Sequence, residues 1–221
     1  MGGSLGIENI HRYVTDVHDP KLQRHFALIG RIPLLWSEIE FGIGQVMVAY
    51  NQGSEHTKDQ LWLALARLGN RDRPDVLAAM NRHAPMEDAG NACIAFAIKA
   101  YRTLNQNRNQ ILHSHAVDFD KPSEIVWARF STANKTEAAY IHMTLRELTF
   151  QVSSFERLRN YLFLLFREVW AANNPDCSPP RWPRKFPEPR LLPTIQRGAG
   201  IPKKAPRAQR QRRKRAASPK S

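Results

Sequence analysis

A chain of 221 residues with 33 Lys+Arg against 20 Asp+Glu has a formal charge of +13, the scale of one globular domain with an appendage. Its two cysteines, Cys93 and Cys177, are too few for a disulfide framework or a four-thiolate zinc site, which excludes a small secreted scaffold and a zinc finger and points to a reducing, cytoplasmic setting. The N-terminus MGGSLGIENI carries no basic segment followed by an apolar run, and the longest apolar run, Tyr161 to Phe166, is far short of the ~18 residues that span a bilayer, so neither standard export nor membrane insertion is expected.

Beyond an N-terminal segment, residues 1–20, the pattern is helical. Apolar residues recur at Leu22, Phe26, Ile29, Ile32, Trp36, Ile39, Ile43 and Met47, spacings of three and four that form one face of a long helix which Pro33 should kink or interrupt. Gly42 and Gly44 permit close packing against a neighbour; Met47 stands where a dinucleotide loop would need its third glycine. Thr57 with Gln60 reads as a capping box opening a helix through Leu61, Leu65 and Leu68 that stops at Gly69–Asn70. A short helix capped by Asp72, with Pro74 in its first turn, should end near His83. A longer one starts near Glu87 and runs through Ile94, Ala97, Tyr101, Leu104, Ile111 and Leu112.

Around 124–143 the pattern changes to two short β-branched and aromatic runs, Ile125–Phe130 and Ala138–Met143, which predicts an inserted hairpin. Thr144 with Glu147 forms a second capping box, opening a helix that Asn173, Asn174 and Pro175 end. The expectation for residues 21–177 is an all-α, antiparallel helical bundle with one small hairpin. Residues 178–221 differ in kind. They hold 14 basic residues against Glu188 alone, the whole of the +13, and nine of the fifteen prolines. Such a segment lacks the apolar surface to offset chain entropy and reads as a loose, disordered basic tail. Its cations Lys203, Lys204, Arg207, Arg210, Arg212, Arg213, Lys214 and Arg215 suit salt-dependent, sequence-blind attraction to RNA or DNA. Within it, Trp182 could stack on a base.

The residues with chemistry cluster late in the helix from Glu87. Arg108 falls on the apolar stripe of Tyr101, Leu104 and Leu112, where a permanent charge needs an anion, carbonyls or a wet pocket. Asn109 and His113 lie one turn apart on a common face. The run Arg108-Asn109-Gln110-Ile111-Leu112-His113 resembles the R-N-x-x-x-H signature of the HEPN superfamily. With 23 Arg, 12 Asn and 8 His in the chain, chance supplies about 0.05 such matches. Trp36-Ser-Glu-Ile-Glu40 and the hairpin between motif and last helix also look like features of bacterial members.

The resemblance implies a HEPN-like bundle, a homodimer whose facing motifs form one RNA-cleaving site, and no metal or other cofactor. Arg108, Asn109 and His113 would be catalytic, with His115 and Glu40 in supporting positions; His115 also satisfies the looser spacing from Arg108. A toxin or defence role, with a cognate inhibitor protein as partner, is a further implication of family. The alternative is a non-catalytic binding or dimerisation module. In it Arg108 pairs with Glu40 or Asp118, His113 serves the fold, and the basic tail does the binding.

Overall fold

A computed structural model describes residues 20–51, 55–113, 115–121, 124–130 and 138–192, with side chains placed for 23–51, 56–113 and 143–192. The described chain is predominantly helical. Its elements are α1 (Pro20–Ala49), α2 (Glu55–Arg67), α3 (Arg73–His83), α4 (Asp88–Leu112), β1 (His115–Lys121), β2 (Glu124–Phe130), β3 (Ala138–Thr144) and α5 (Leu145–Ala172). The strands form an antiparallel sheet in the order β1-β2-β3. β2 pairs with β3 in unbroken register from Glu124 opposite Thr144 to Phe130 opposite Ala138, whereas the β1–β2 register shifts on either side of Asp118. The sequence pattern picked out two runs here and missed β1, whose HAVDFDK carries only the short alternation Val117-Asp118-Phe119-Asp120.

The core is a continuous apolar cluster drawn mainly from α1, α4 and α5. Ile32, Trp36, Ile39, Ile43 and Met47 of α1 meet Ile94, Ala97, Tyr101 and Leu104 of α4 and Phe155, Leu158, Leu162 and Leu165 of α5. Trp36 anchors it, with its ring centroid 4.8 Å from Tyr101 and 6.1 Å, edge-on, from Phe155. The glycines of α1 work as spacers. A Cβ on Gly42 would lie 3.2 Å from the Leu162 Cβ, and one on Gly44 would lie 2.9 Å from the Trp62 ring.

Two local expectations need correction. α1 runs unbroken through Pro33, because Pro33 lies on the exposed side while Ile32, Leu35 and Trp36 are buried around it. The loss of one hydrogen bond, roughly 3 kcal/mol in a helix interior, is outweighed by the apolar burial on either side. The Thr57 box does not form either. α2 begins at Glu55, which places Thr57 inside the first turn, and Gln60 pairs with His56 at 2.9 Å. By contrast, Thr144 caps α5 through its hydroxyl, which accepts the Glu147 amide at 3.1 Å.

The largest departure concerns the expected tail, which the structure divides. Residues 178–192 form an extended strap docked along α4 and α5. The strap crosses in order: the Trp182 ring sits against Gly90 and donates to Glu87, the Pro183 carbonyl accepts from Cys93 Sγ at 3.6 Å, and Phe186 packs edge-on against Phe96 and Tyr161. Lys99 pairs with Glu188 at 2.7 Å, and Leu192 is buried. The lengths match: the α4 stretch from Gly90 to Asn107 spans ~26 Å at 1.5 Å per residue, and ten residues from Trp182 in an extended proline-type conformation span ~31 Å. Pro183, Pro187 and Pro189 need no partners for amides they lack. Composition hid this because the strap's apolar residues, Trp182, Phe186 and Leu192, recur without a period and fill gaps between helices. The cations from Lys203 to Arg215 lie outside the described residues.

At its start the strap is held by Glu168, whose carboxylate is nearly buried. Burial by itself pushes that group up, but the Arg181 amide at 2.7 Å and the Arg167 guanidinium at 2.7 and 2.9 Å hold it below the ordinary carboxylate range. A lowered carboxylate stabilises the fold above its unfolded pKa, and that contribution fades as pH falls through the lowered value. Two outcomes follow. Glu168→Ala should cost about 1.5–3 kcal/mol in denaturant unfolding, as for loss of a charged acceptor. Acidification below the usual carboxylate range should release the start of the strap, read as a change in emission from Trp182, with Trp182→Phe as the control.

Candidate active site at the end of helix α4

Trp36 and Glu40, one turn apart on α1, and Arg73, the first residue of α3, face the last three turns of α4. The Trp36 indole N–H donates to the Glu40 carboxylate. Arg73 donates Nη1 to the Glu40 carbonyl at 2.9 Å and Nη2 to the Leu65 carbonyl at 3.4 Å, tying α3 to α1 and α2. The Arg108 guanidinium carbon stands 5.9 Å from the centroid of the Trp36 ring, a cation–π placement that explains how a charge is tolerated on the apolar stripe. Between them lies Tyr101, fully buried, its hydroxyl without a hydrogen bond among the described residues. Burial raises its pKa, the nearby Glu40 carboxylate raises it further, and Arg73 and Arg108 offset only part of this. The phenol is therefore neutral at physiological pH. Of the three charged groups that act on the phenol, two are guanidiniums and one is a carboxylate.

Asn109 joins the parts of the motif. Its side-chain oxygen accepts from Arg108 Nη1 at 2.9 Å, and its backbone carbonyl accepts the His113 amide at 3.1 Å. Arg108 and His113 stand 140° apart on an ideal helix, while Asn109, which holds the Arg108 head, lies one turn before His113 on the same face. His113 is exposed and is the C-cap, just beyond Leu112, the last residue of α4. Arg108 Nε and Asn105 Oδ1 are buried without hydrogen bonds among the described residues, which native structures seldom leave unexplained.

Of the predicted residues, Arg108 and Asn109 are joined by their side chains, His113 is bonded to Asn109 through the backbone alone, and Glu40 is bonded to Trp36. No Arg108–Glu40 ion pair forms among the described contacts. His115 lies in β1 rather than on a continuation of α4, and its side chain, like that of Asp118, is outside the described residues, as are Lys203, Lys204, Arg207, Arg210, Arg212, Arg213, Lys214 and Arg215. Trp182, read from the sequence as a base-stacking side chain, is part-buried against Gly90 and tied to Glu87. Sequence reasoning set Arg108 on the stripe of Tyr101 but missed Trp36 as its neighbour. Arg73 gave no sequence signal at all.

A separate cleft of about 520 Å³ opens between α1 and α5; Phe41, Leu162, Phe163 and Phe166 line it together with Glu38 and Arg159, which pair with each other at 3.0 Å. Among the described residues no group of three or more His, Cys, Asp or Glu could hold a metal ion, and no helix is long and apolar enough to cross a membrane. No family model matches this chain, and no curated protein or solved structure matches it significantly.

The orphaned phenol makes a test of the buried cluster. Tyr101→Phe removes a buried hydroxyl that has no partner, so it should leave stability unchanged or raise it by up to about 1–3 kcal/mol, the desolvation penalty of such a group. A loss of more than about 1 kcal/mol in urea unfolding would mean that the hydroxyl is bonded and the cluster differently arranged.

Proposed function

We propose that this chain is a metal-independent endoribonuclease of HEPN type, acting as a homodimer that brings two copies of the Arg108–His113 segment to one composite cleft. The observation that supports this reading is a fixed cation held by the Asn109 side chain, five residues before an exposed histidine at the helix end, where Arg108 Nε and Asn105 Oδ1 are buried without hydrogen bonds among the described residues. Cleavage by a ribose 2′-hydroxyl needs proton transfer and stabilisation of charge growing on the phosphorane. Histidine is the side chain suited to the first near neutral pH, and the planar guanidinium of Arg108 is suited to the second. Asn109 positions the guanidinium, and Trp36 holds it from the other side. The products are a 2′,3′-cyclic phosphate and a 5′-hydroxyl; where the activity harms the cell that carries it, a cognate inhibitor should exist.

One observation favours a second reading, a non-catalytic helical binding module. Arg108 already has a place in the fold, between the Trp36 ring and the Asn109 side chain, so its presence on the stripe does not by itself require a substrate.

Incubation of wild-type, Arg108→Ala and His113→Ala protein with mixed-sequence RNA in EDTA separates the two. The enzyme predicts cleavage by wild type, ends of the stated chemistry, and a fall of at least about 10²-fold in both variants with their helicity unchanged. Equal RNA survival with all three proteins supports the module.

A further inference from the structure

The strap ends in a closed ring of hydrogen bonds. The side chain of Asn107, fully buried, donates to Gln151 Oε1 at 2.9 Å and to the Arg190 carbonyl at 2.8 Å, and accepts the Leu192 amide at 3.0 Å. Gln151 donates to Glu147 Oε1 at 3.1 Å, and Glu147 Oε2 accepts Arg190 Nη2 at 2.9 Å, which closes the circuit. The Arg190 guanidinium also lies 4.9 Å over the Phe150 ring. Both N–H donors and the oxygen of this buried carboxamide are therefore engaged, two of the three bonds being to the strap backbone. Asn107 is the residue before Arg108.

We propose that this latch roots the basic arm at the Arg108–His113 end of α4, so that the arm concentrates the phosphodiester backbone of single-stranded RNA across the candidate active site. The identity of the ligand rests on the ribonuclease reading; the placement of the root does not.

The charge distribution gives the latch its consequence. Residues 1–177 hold 19 basic and 19 acidic side chains, so net attraction for a polyanion comes from residues 178–221, and where the arm starts decides where RNA accumulates. α4 and α5 are antiparallel, with Asn107 bonded to Gln151 near the start of α5. Without the strap, the arm would start beyond Ala172, about 32 Å further along α5. With it, Lys203 follows Leu192 by eleven residues, a covalent reach of at most ~40 Å. Docking of the strap thus transfers the root from one end of the bundle to the other, a distance comparable with the whole reach of the connection.

The test uses the full chain with Cys177→Ser, which removes the exposed native thiol, and His113→Cys carrying a photo-crosslinker, together with a labelled 2′-O-methyl oligoribonucleotide of about twenty residues, which cannot be cleaved through its 2′ position. Insertion of about thirty Gly/Ser residues between Leu192 and Pro193 leaves every described contact in place. It should lower crosslinking at position 113 about three- to sevenfold, following the −3/2 power of tether length, while changing overall RNA affinity less than about twofold. Leu192→Asp, which expels the end of the strap, should act in the same direction, and truncation after Leu192 should abolish both binding and crosslinking. Crosslinking undiminished by the insertion, or absent from the chain without it, overturns the proposal. Because this probe is uncleavable, failure of the ribonuclease reading shows up separately, in the cleavage assay.

Discussion

Asn107 is a carboxamide with no solvent exposure, and a buried amide that leaves a donor or acceptor unpaired costs about 1–3 kcal/mol per group. In this bundle the helices alone do not satisfy it. Gln151 takes one N–H, and the backbone of Arg190 and Leu192 supplies the other two partners. One core residue therefore demands that a proline-rich segment far along the chain return to the bundle and lie still. The strap's other contacts, Trp182 on Gly90 and Phe186 on Phe96 and Tyr161, add apolar burial along a path whose end point Asn107 fixes.

The opposite side of α4 solves a related problem with a different residue. Arg108 follows Asn107 directly, yet its charge lies against the Trp36 face and bonds to Asn109 instead of seeking a carboxylate. Burying an ion pair exchanges one desolvation cost for another. A guanidinium spread over an aromatic face retains part of its charge for an outside anion, and the buried, unbonded Nε of Arg108 accords with that.

Much of the fold was legible because helices advertise themselves twice, through the period of their apolar residues and through their ends. The stripe from Ile32 to Met47, the Thr144–Glu147 cap and the stop at Asn173 each follow from local chemistry that long-range contacts do not alter. Pro33 and Thr57 misled for the same reason in reverse. Both are local signals that packing overrode, Pro33 by facing solvent and Thr57 by lying two residues inside its helix. Arg108, Asn109 and His113 were visible as a motif because they are contiguous. Tyr101 was visible on the same stripe, but Arg73 and Trp36 were not visible as their surroundings, since that neighbourhood exists only when α1, α3 and α4 are packed together. The strap was the least readable part. Its composition is that of a segment unable to fold alone, and it does not fold alone: its order comes from sites on α4 and α5 that no window of sequence around it contains.

That dependence couples the two halves of α4 that face away from each other. A change that expels Leu192 strips Asn107 of two partners, and Asn107 is held on the same helical turn as Arg108 and Asn109. A disturbance of the latch therefore reaches the motif through the backbone of a single turn, with no need of a longer path. The converse coupling is weaker, because Arg108 touches Trp36 and Asn109 but none of the strap contacts described. The physical asymmetry is that the strap's position is set by hydrogen bonds inside the core, whereas the guanidinium is set by an aromatic face and one exposed-side carboxamide. The first arrangement tolerates little displacement before a buried amide is left unpaired; the second permits the charge to shift towards an anion without breaking the bundle.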